Sequence, residues 1–146
     1  MLKRESIATE VWRRMSGIAG LKSDRNPETP PTAEDMPCGL IFEMADKVTE
    51  PSRGRDYPRY KREFEIIIEL FTSAETSEES SRAITTLVED TRKVLFASPY
   101  NLGGLGDLEE RSTSRIVTVD AANHIKGISI AFVVKYAEDV ADLFTV

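Results

Sequence analysis

Residues 60–96 read YKREFEIIIELFTSAETSEESSRAITTLVEDTRKVLF, and the parsing of this run decides the fold. Tyr60, Arg62, Phe64, Ile66, Ile68 and Leu70 share one parity; Lys61, Glu63, Glu65, Ile67, Glu69 and Phe71 share the other. A pleated strand therefore sets a mostly apolar row against a mostly charged one, the pattern of a half-buried strand. Thr76 stands three residues before Glu79, the spacing of a capping box, and Ile84, Leu87, Val88, Thr91, Val94 and Leu95 then recur at threes and fours. That predicts an amphipathic helix over about Ser77 to Ala97, ended by Ser98, Pro99, Tyr100 and Asn101. Neither the strand nor the helix can bury its apolar side alone, so together they form half of a two-layer sandwich.

Working outward, residues from about Glu5 to Ile18 carry Ile7, Val11, Met15 and Ile18 on one helical stripe, broadened by Trp12, with Arg4, Glu10, Arg13 and Arg14 mostly off it. The run from Ser23 to Pro37 holds Pro27, Pro30, Pro31 and Pro37 and reads as a surface connector. Cys38, Leu40, Phe42 and Met44 alternate with Gly39, Ile41, Glu43 and Ala45, which predicts a first strand. Asp46 to Arg59, with Pro51, Gly54 and Pro58, reads as an exposed loop, longer than the ~12 residues above which loops tend to be functional or disordered. Gly103, Gly104 and Gly106 make a bend before a strand at about Ser112 to Asp120. The last strand alternates Ile128, Ile130, Phe132, Val134 and Tyr136 with Gly127, Ser129, Ala131, Val133 and Lys135. The expected architecture is α+β: a two-layer sandwich with a mixed or antiparallel sheet of about four main strands, both helices packed on one face and the other face open. Residues 1–146 are expected to form one domain, with 137–146 as a C-terminal arm.

At 146 residues with 40% hydrophobic and 30% charged side chains, the chain can build a core without a metal or disulfide staple. Its longest nearly apolar run, Ile128 to Val134, falls far short of the roughly 20 residues that cross a bilayer, so no membrane association is expected. The start of the chain lacks the continuous apolar core of a signal peptide, and the one cysteine cannot form an internal bridge, so synthesis and folding in the cytoplasm are expected. A net charge of -6 and a pI near 4.9 argue against gripping nucleic acid. The charge is nevertheless segregated. Lys47, Arg53, Arg55, Arg59, Lys61 and Arg62 cluster, while carboxylates gather at 75–79, at 107–110 and at 138–142.

Candidate chemistry is sparse. His124, beside Asn123 and Asp120, has no orienting partner in the sequence and reads as a solvated turn residue. One Cys and one His give no metal-ligand spacing, and no cofactor is expected. The glycines at 103–106 follow a helix and lack the Lys-Ser or Lys-Thr that ends a phosphate loop. Cys38 reads as a buried small hydrophobe. The basic loop is either merely solvated or a contact for an acidic surface on another copy or partner. The apolar positions Val140, Leu143 and Phe144 on the acidic tail are expected to pack against the chain's own sheet or a neighbouring copy.

The order of these patterns resembles the tail terminator (tail completion) proteins of long-tailed bacteriophages. The resemblance rests on the N-terminal helix; the Pro-rich connector running into Met36, Pro37, Cys38, Gly39, Leu40, Ile41 and Phe42; the strand through Phe64–Leu70; the helix containing Leu87, Val88, Asp90 and Arg92; and the closing strand Ile128–Tyr136. It covers nearly the whole chain. It implies a non-enzymatic virion subunit at the head-proximal end of the tail. Such a subunit forms a homohexameric ring, caps the tail tube, stops its polymerisation and offers a surface to a head-completion or connector protein, while DNA passes through the lumen. Lys47, Arg53, Arg55, Arg59, Lys61, Arg62, Val140, Leu143 and Phe144 are the expected interface residues, taken from the charge and apolar patterns rather than from the family. Another head-to-tail connector or tube-associated protein is the alternative, and a small-ligand or enzymatic α/β domain is a third.

Overall fold

The computed structural model describes residues 2–51 and 59–139, with only the backbone described at Glu50, Pro51, Arg59 and Asp139. The helices are α1 (Lys3–Ser16), α2 (Ser77–Leu95) and a short α3 (Tyr100–Gly104); the strands are β1 (Lys22–Arg25), β2 (Cys38–Pro51), β3 (Arg59–Thr72), β4 (Asp107–Thr113), β5 (Val117–Asp120) and β6 (Ile125–Asp139). They make a sheet of order β1-β2-β3-β6-β4, with β5 also paired to β6. β1 runs parallel to β2 and every other pairing is antiparallel, so the sheet is mixed.

The parity expected for β3 holds. Phe64, Ile66, Ile68 and Leu70 are buried beneath α1 and α2 in one cluster with Ile130, Phe132 and Val134 of β6. Register explains the match: Phe64 pairs with Val134, Ile66 with Phe132 and Ile68 with Ile130, so each large apolar residue meets another on the same face. α2 begins where its cap predicts, with the Thr76 hydroxyl accepting from the Glu79 N–H at 3.1 Å, and it buries Ile84, Leu87, Val88, Thr91 and Leu95. From α1, Ile7, Val11 and Met15 enter the same core. Trp12, expected on that stripe, is 42% exposed.

The structure also corrects several expectations. The described residues form a sheet of six strands rather than about four, because weakly apolar segments join it through backbone pairing. β2 runs on to Pro51 against Tyr60 and its neighbours, so the Asp46–Pro51 part of the expected loop is strand, as is Arg59, while 52–58 lie outside the described residues. The Ser23–Pro37 connector contributes most of β1 and a 3-10 turn at Ala33–Asp35. The single strand expected at 112–120 is two, β4 starting at Asp107 and β5 at Val117; the Ser114 N–H donates to the Ser129 carbonyl between them. The glycine-rich bend is a tight turn with Asn101, Leu102 and Gly103 in the left-handed region. A bulky residue is disfavoured there, and Leu102 is held by burial of its side chain at 1% exposure.

The sheet's second face is only partly open. Cys38, Leu40, Phe71 and Ile125 form a separate apolar cluster there, flanked by Met36 and Phe42. Gly127 pairs with Phe71, and a Cβ at that position would stand 3.0 Å from the ring. The small residue thus lets the aromatic ring lie flat across β6.

Candidate assembly surface

Beyond the helix layer, β2, β3 and β6 continue together as a three-stranded projection whose helix-side face carries polar side chains. The Tyr136 hydroxyl donates to Asp46 Oδ2 at 2.6 Å, and the Arg62 Nε lies 3.2 Å from Glu138 Oε2. Arg62 Nη1 and Arg4 Nη1 each stand 4.0 Å from the Asp46 carboxylate. Burial, reinforced by the Asp46 carboxylate, raises the Tyr136 pKa well above that of a free phenol. The Arg4 guanidinium stacks 4.5 Å over the Phe64 ring, and the Lys3 ammonium donates to the Ala137 carbonyl at 3.0 Å. The first turn of α1 thereby ties the projection to the core.

Of the expected interface residues, Arg62 is turned into this network, with its guanidinium 5.8 Å over Tyr60 and its charge met by Glu138 and Asp46. Lys47 and Lys61 lie on the opposite, open face and are exposed. Arg59 pairs through its backbone with Asp139. Arg53, Arg55, Val140, Leu143 and Phe144 lie outside the described residues.

The open face carries a pattern that the linear sequence conceals. Lys47 pairs in register with Glu63, Glu63 with Lys135, and Lys135 with Asp107. One row across four strands therefore reads plus, minus, plus, minus. Arg111 reinforces it, 3.8 Å from Glu63 and 3.0 Å from Glu109, while Lys135 lies 3.3 Å from Glu109. The two ends of the row, Lys47 and Asp107, form no ion pair among the described residues. Sequence reasoning found the basic and acidic clusters but not their alignment, because strand register sets the row and its four members come from four strands spread between positions 47 and 135 of the chain.

At the other end of this face, Met36, Leu40, Phe42, Phe71, Val119 and Ile125 line a cleft of about 400 Å³ beside the Pro27–Pro31 segment. Cys38 sits next to it, 2% exposed, and burial pushes its thiol up to about 11. His124 is in the turn before β6 with φ +53°; the nearby Asp120 carboxylate accepts from the Asn123 side chain at 2.7 Å. Among the described residues no group of three or more His, Cys, Asp or Glu is placed to hold a metal, and no helix is long and apolar enough to cross a membrane.

No family model and no curated protein matches the chain. Among solved structures, the chain is similar to one described as "Virion of native gene transfer agent (GTA) particle", at 14% identity and a TM-score of 0.43, covering 92% of this chain and 94% of that one. A likeness of this size assigns the chain neither a fold nor a role.

Proposed function

We propose that this chain is a structural virion subunit that assembles with its own copies into a ring, caps the phage tail tube, halts its polymerisation and presents a surface for joining the head. The observation that supports the reading is the alternating row on the open face, left positive at one edge of the sheet and negative at the other. A surface whose two ends complement each other suits a heterologous contact, which closes into a ring when the rotation between copies is right. The element order of the α+β sandwich agrees with the tail-terminator resemblance. A net charge of -6 also suits a lumen through which DNA slides without adhering, since carboxylates repel phosphate.

The deciding experiment is sedimentation and negative-stain microscopy of the purified chain, followed by addition of tail tube protein. A ring that binds tube ends and stops their growth is the expected result; a single-copy mass at every concentration overturns it. The apolar cleft favours one competing reading, a small-ligand module, and a ligand-dependent rise in melting temperature from metabolite mixtures would support that reading instead.

A further inference from the structure

Two edges of the sheet are unpaired by any other strand among the described residues. β1 covers β2 only from Cys38 to Ile41, after which Asn26 accepts from the Glu43 N–H and Arg4 donates to the Met44 carbonyl. Among the described residues, no strand lies beside the outer edge of β2 from Ala45 to Pro51, and on the far side of the sheet the seven residues of β4 pair with β6 and with no other strand. Unpaired edges invite association with another chain. The sign of the charge at each edge is opposite: Lys47 ends the row on β2, and Asp107 ends it on β4.

Resting on the self-assembling reading above, we infer that the β4 edge of one copy lies against the β2 edge of the next, so that Asp107 meets the neighbouring copy's Lys47 and the alternating row runs on from copy to copy. Strand direction allows this. β2 and β3, β3 and β6, and β6 and β4 are each antiparallel, so a neighbouring β2 placed beside β4 continues the alternation with both copies in the same orientation. The contact is head to tail and leaves a free edge of the correct sign at each end until the ring closes.

The bulges define where the two edges can match. β2 is irregular between Glu43 and Asp46 and again between Val48 and Glu50; β4 is irregular between Glu110 and Ser112. Bulges bend an edge and shorten any backbone ladder along it. The regular stretches that remain, Asp46–Val48 and Asp107–Glu110, hold Lys47 and Asp107. The ion row, rather than a long backbone ladder, sets the register between copies. This predicts an assembly that weakens with salt, because exposed pairs are screened over about 8–10 Å at ordinary ionic strength.

The test is charge reversal with rescue by mixing. Lys47→Glu alone and Asp107→Lys alone each place like charges at every junction, and each is expected to weaken self-association about tenfold or more in sedimentation equilibrium. An equimolar mixture can alternate, so that Glu at 47 meets Lys at 107 and Lys47 meets Asp107, and its association is expected to return to near that of the unaltered chain. Rescue by mixing cannot come from repair within one chain, which separates the contact from a folding defect. An unaltered chain that assembles while both variants assemble equally well, or variants that fail alone and fail when mixed, overturns the edge contact but leaves the ring standing. A single-copy mass for the unaltered chain overturns both.

Discussion

Replacing Arg14 tests how the helix layer is held together. Its side chain, expected at the surface of α1, is 6% exposed at the residue level and inserts its guanidinium against the end of α2. Nη1 is shared among the carbonyls of Val94, Leu95 and Ala97 at 3.2, 3.2 and 2.8 Å; Nη2 donates to the Pro99 carbonyl at 2.7 Å; and Nε donates to Glu10 at 2.9 Å. Carbonyls at the last turn of a helix have no intrahelical donor and carry the negative end of its dipole, so a buried cation there both satisfies and neutralises them. Arg14→Met keeps the aliphatic packing and removes every donor. Breaking one partner of a buried charged contact costs about 3–5 kcal/mol. Glu10 keeps both hydrogen bonds from Arg13, at 2.9 and 2.6 Å, so no carboxylate is stranded and the lower end, about 3 kcal/mol, is expected. For a domain of this size that corresponds to a melting temperature lower by roughly 6–12 °C. Arg14→Lys can still serve the carbonyls near Nη1 but loses the fork to Pro99 and Glu10, and should lose about 1–2 kcal/mol. Urea titrations followed by circular dichroism, at one fixed protein concentration, give both values. A Met variant within about 1 kcal/mol of the unaltered chain, or a Lys variant no better than Met, would refute the account.

Acid stability depends on Glu10 among others. Hydrogen bonding from Arg13 chiefly, opposed by burial and reinforced by Arg14, holds its carboxyl down to about 2 from an ordinary 4.5. A depressed folded-state pKa contributes stability that is present above the unfolded value and lost as the pH falls through the folded one, so the urea midpoint should fall between about pH 4.5 and 2. Glu10→Gln should flatten part of that fall, and an unchanged profile would count against the assignment. Cys38, buried and with its thiol pushed up to about 11, should react with iodoacetamide at pH 8 far more slowly in the native chain than in urea; equal rates would show the site to be open. Removing residues 140–146 should reduce assembly in sedimentation more than it lowers the melting temperature, and an intact assembly after truncation would remove the tail from the contact. His124→Ala should leave the assembled mass unchanged, and dissociation would give that turn a role in the interface.

Much of the fold follows from the linear chain. The period-two alternation of Phe64–Leu70 and Ile128–Val134, the threefold and fourfold spacing in α2 and the Thr76 cap record which face is dry, and burial of those faces requires a sandwich. β4 and the far half of β2 escaped that reading because their inward positions are few and partly polar. Leu108 is buried, but the next inward residue is Glu110, which accepts from Arg92 Nε at 2.8 Å. Hydrophobic periodicity has no signal where pairing of the backbone, rather than loss of apolar surface, holds a strand in place. Arg14 was misplaced for a related reason: a cation in a helical pattern reads as solvent-facing until the end of another helix is set beside it. Sequence by itself determined the layers, the two faces and the clustering of charge. Only the tertiary structure decided that Lys47, Glu63, Lys135 and Asp107 stand in one line, because register between strands distant in the chain is settled by how their apolar faces interlock, and the charges on the other face follow.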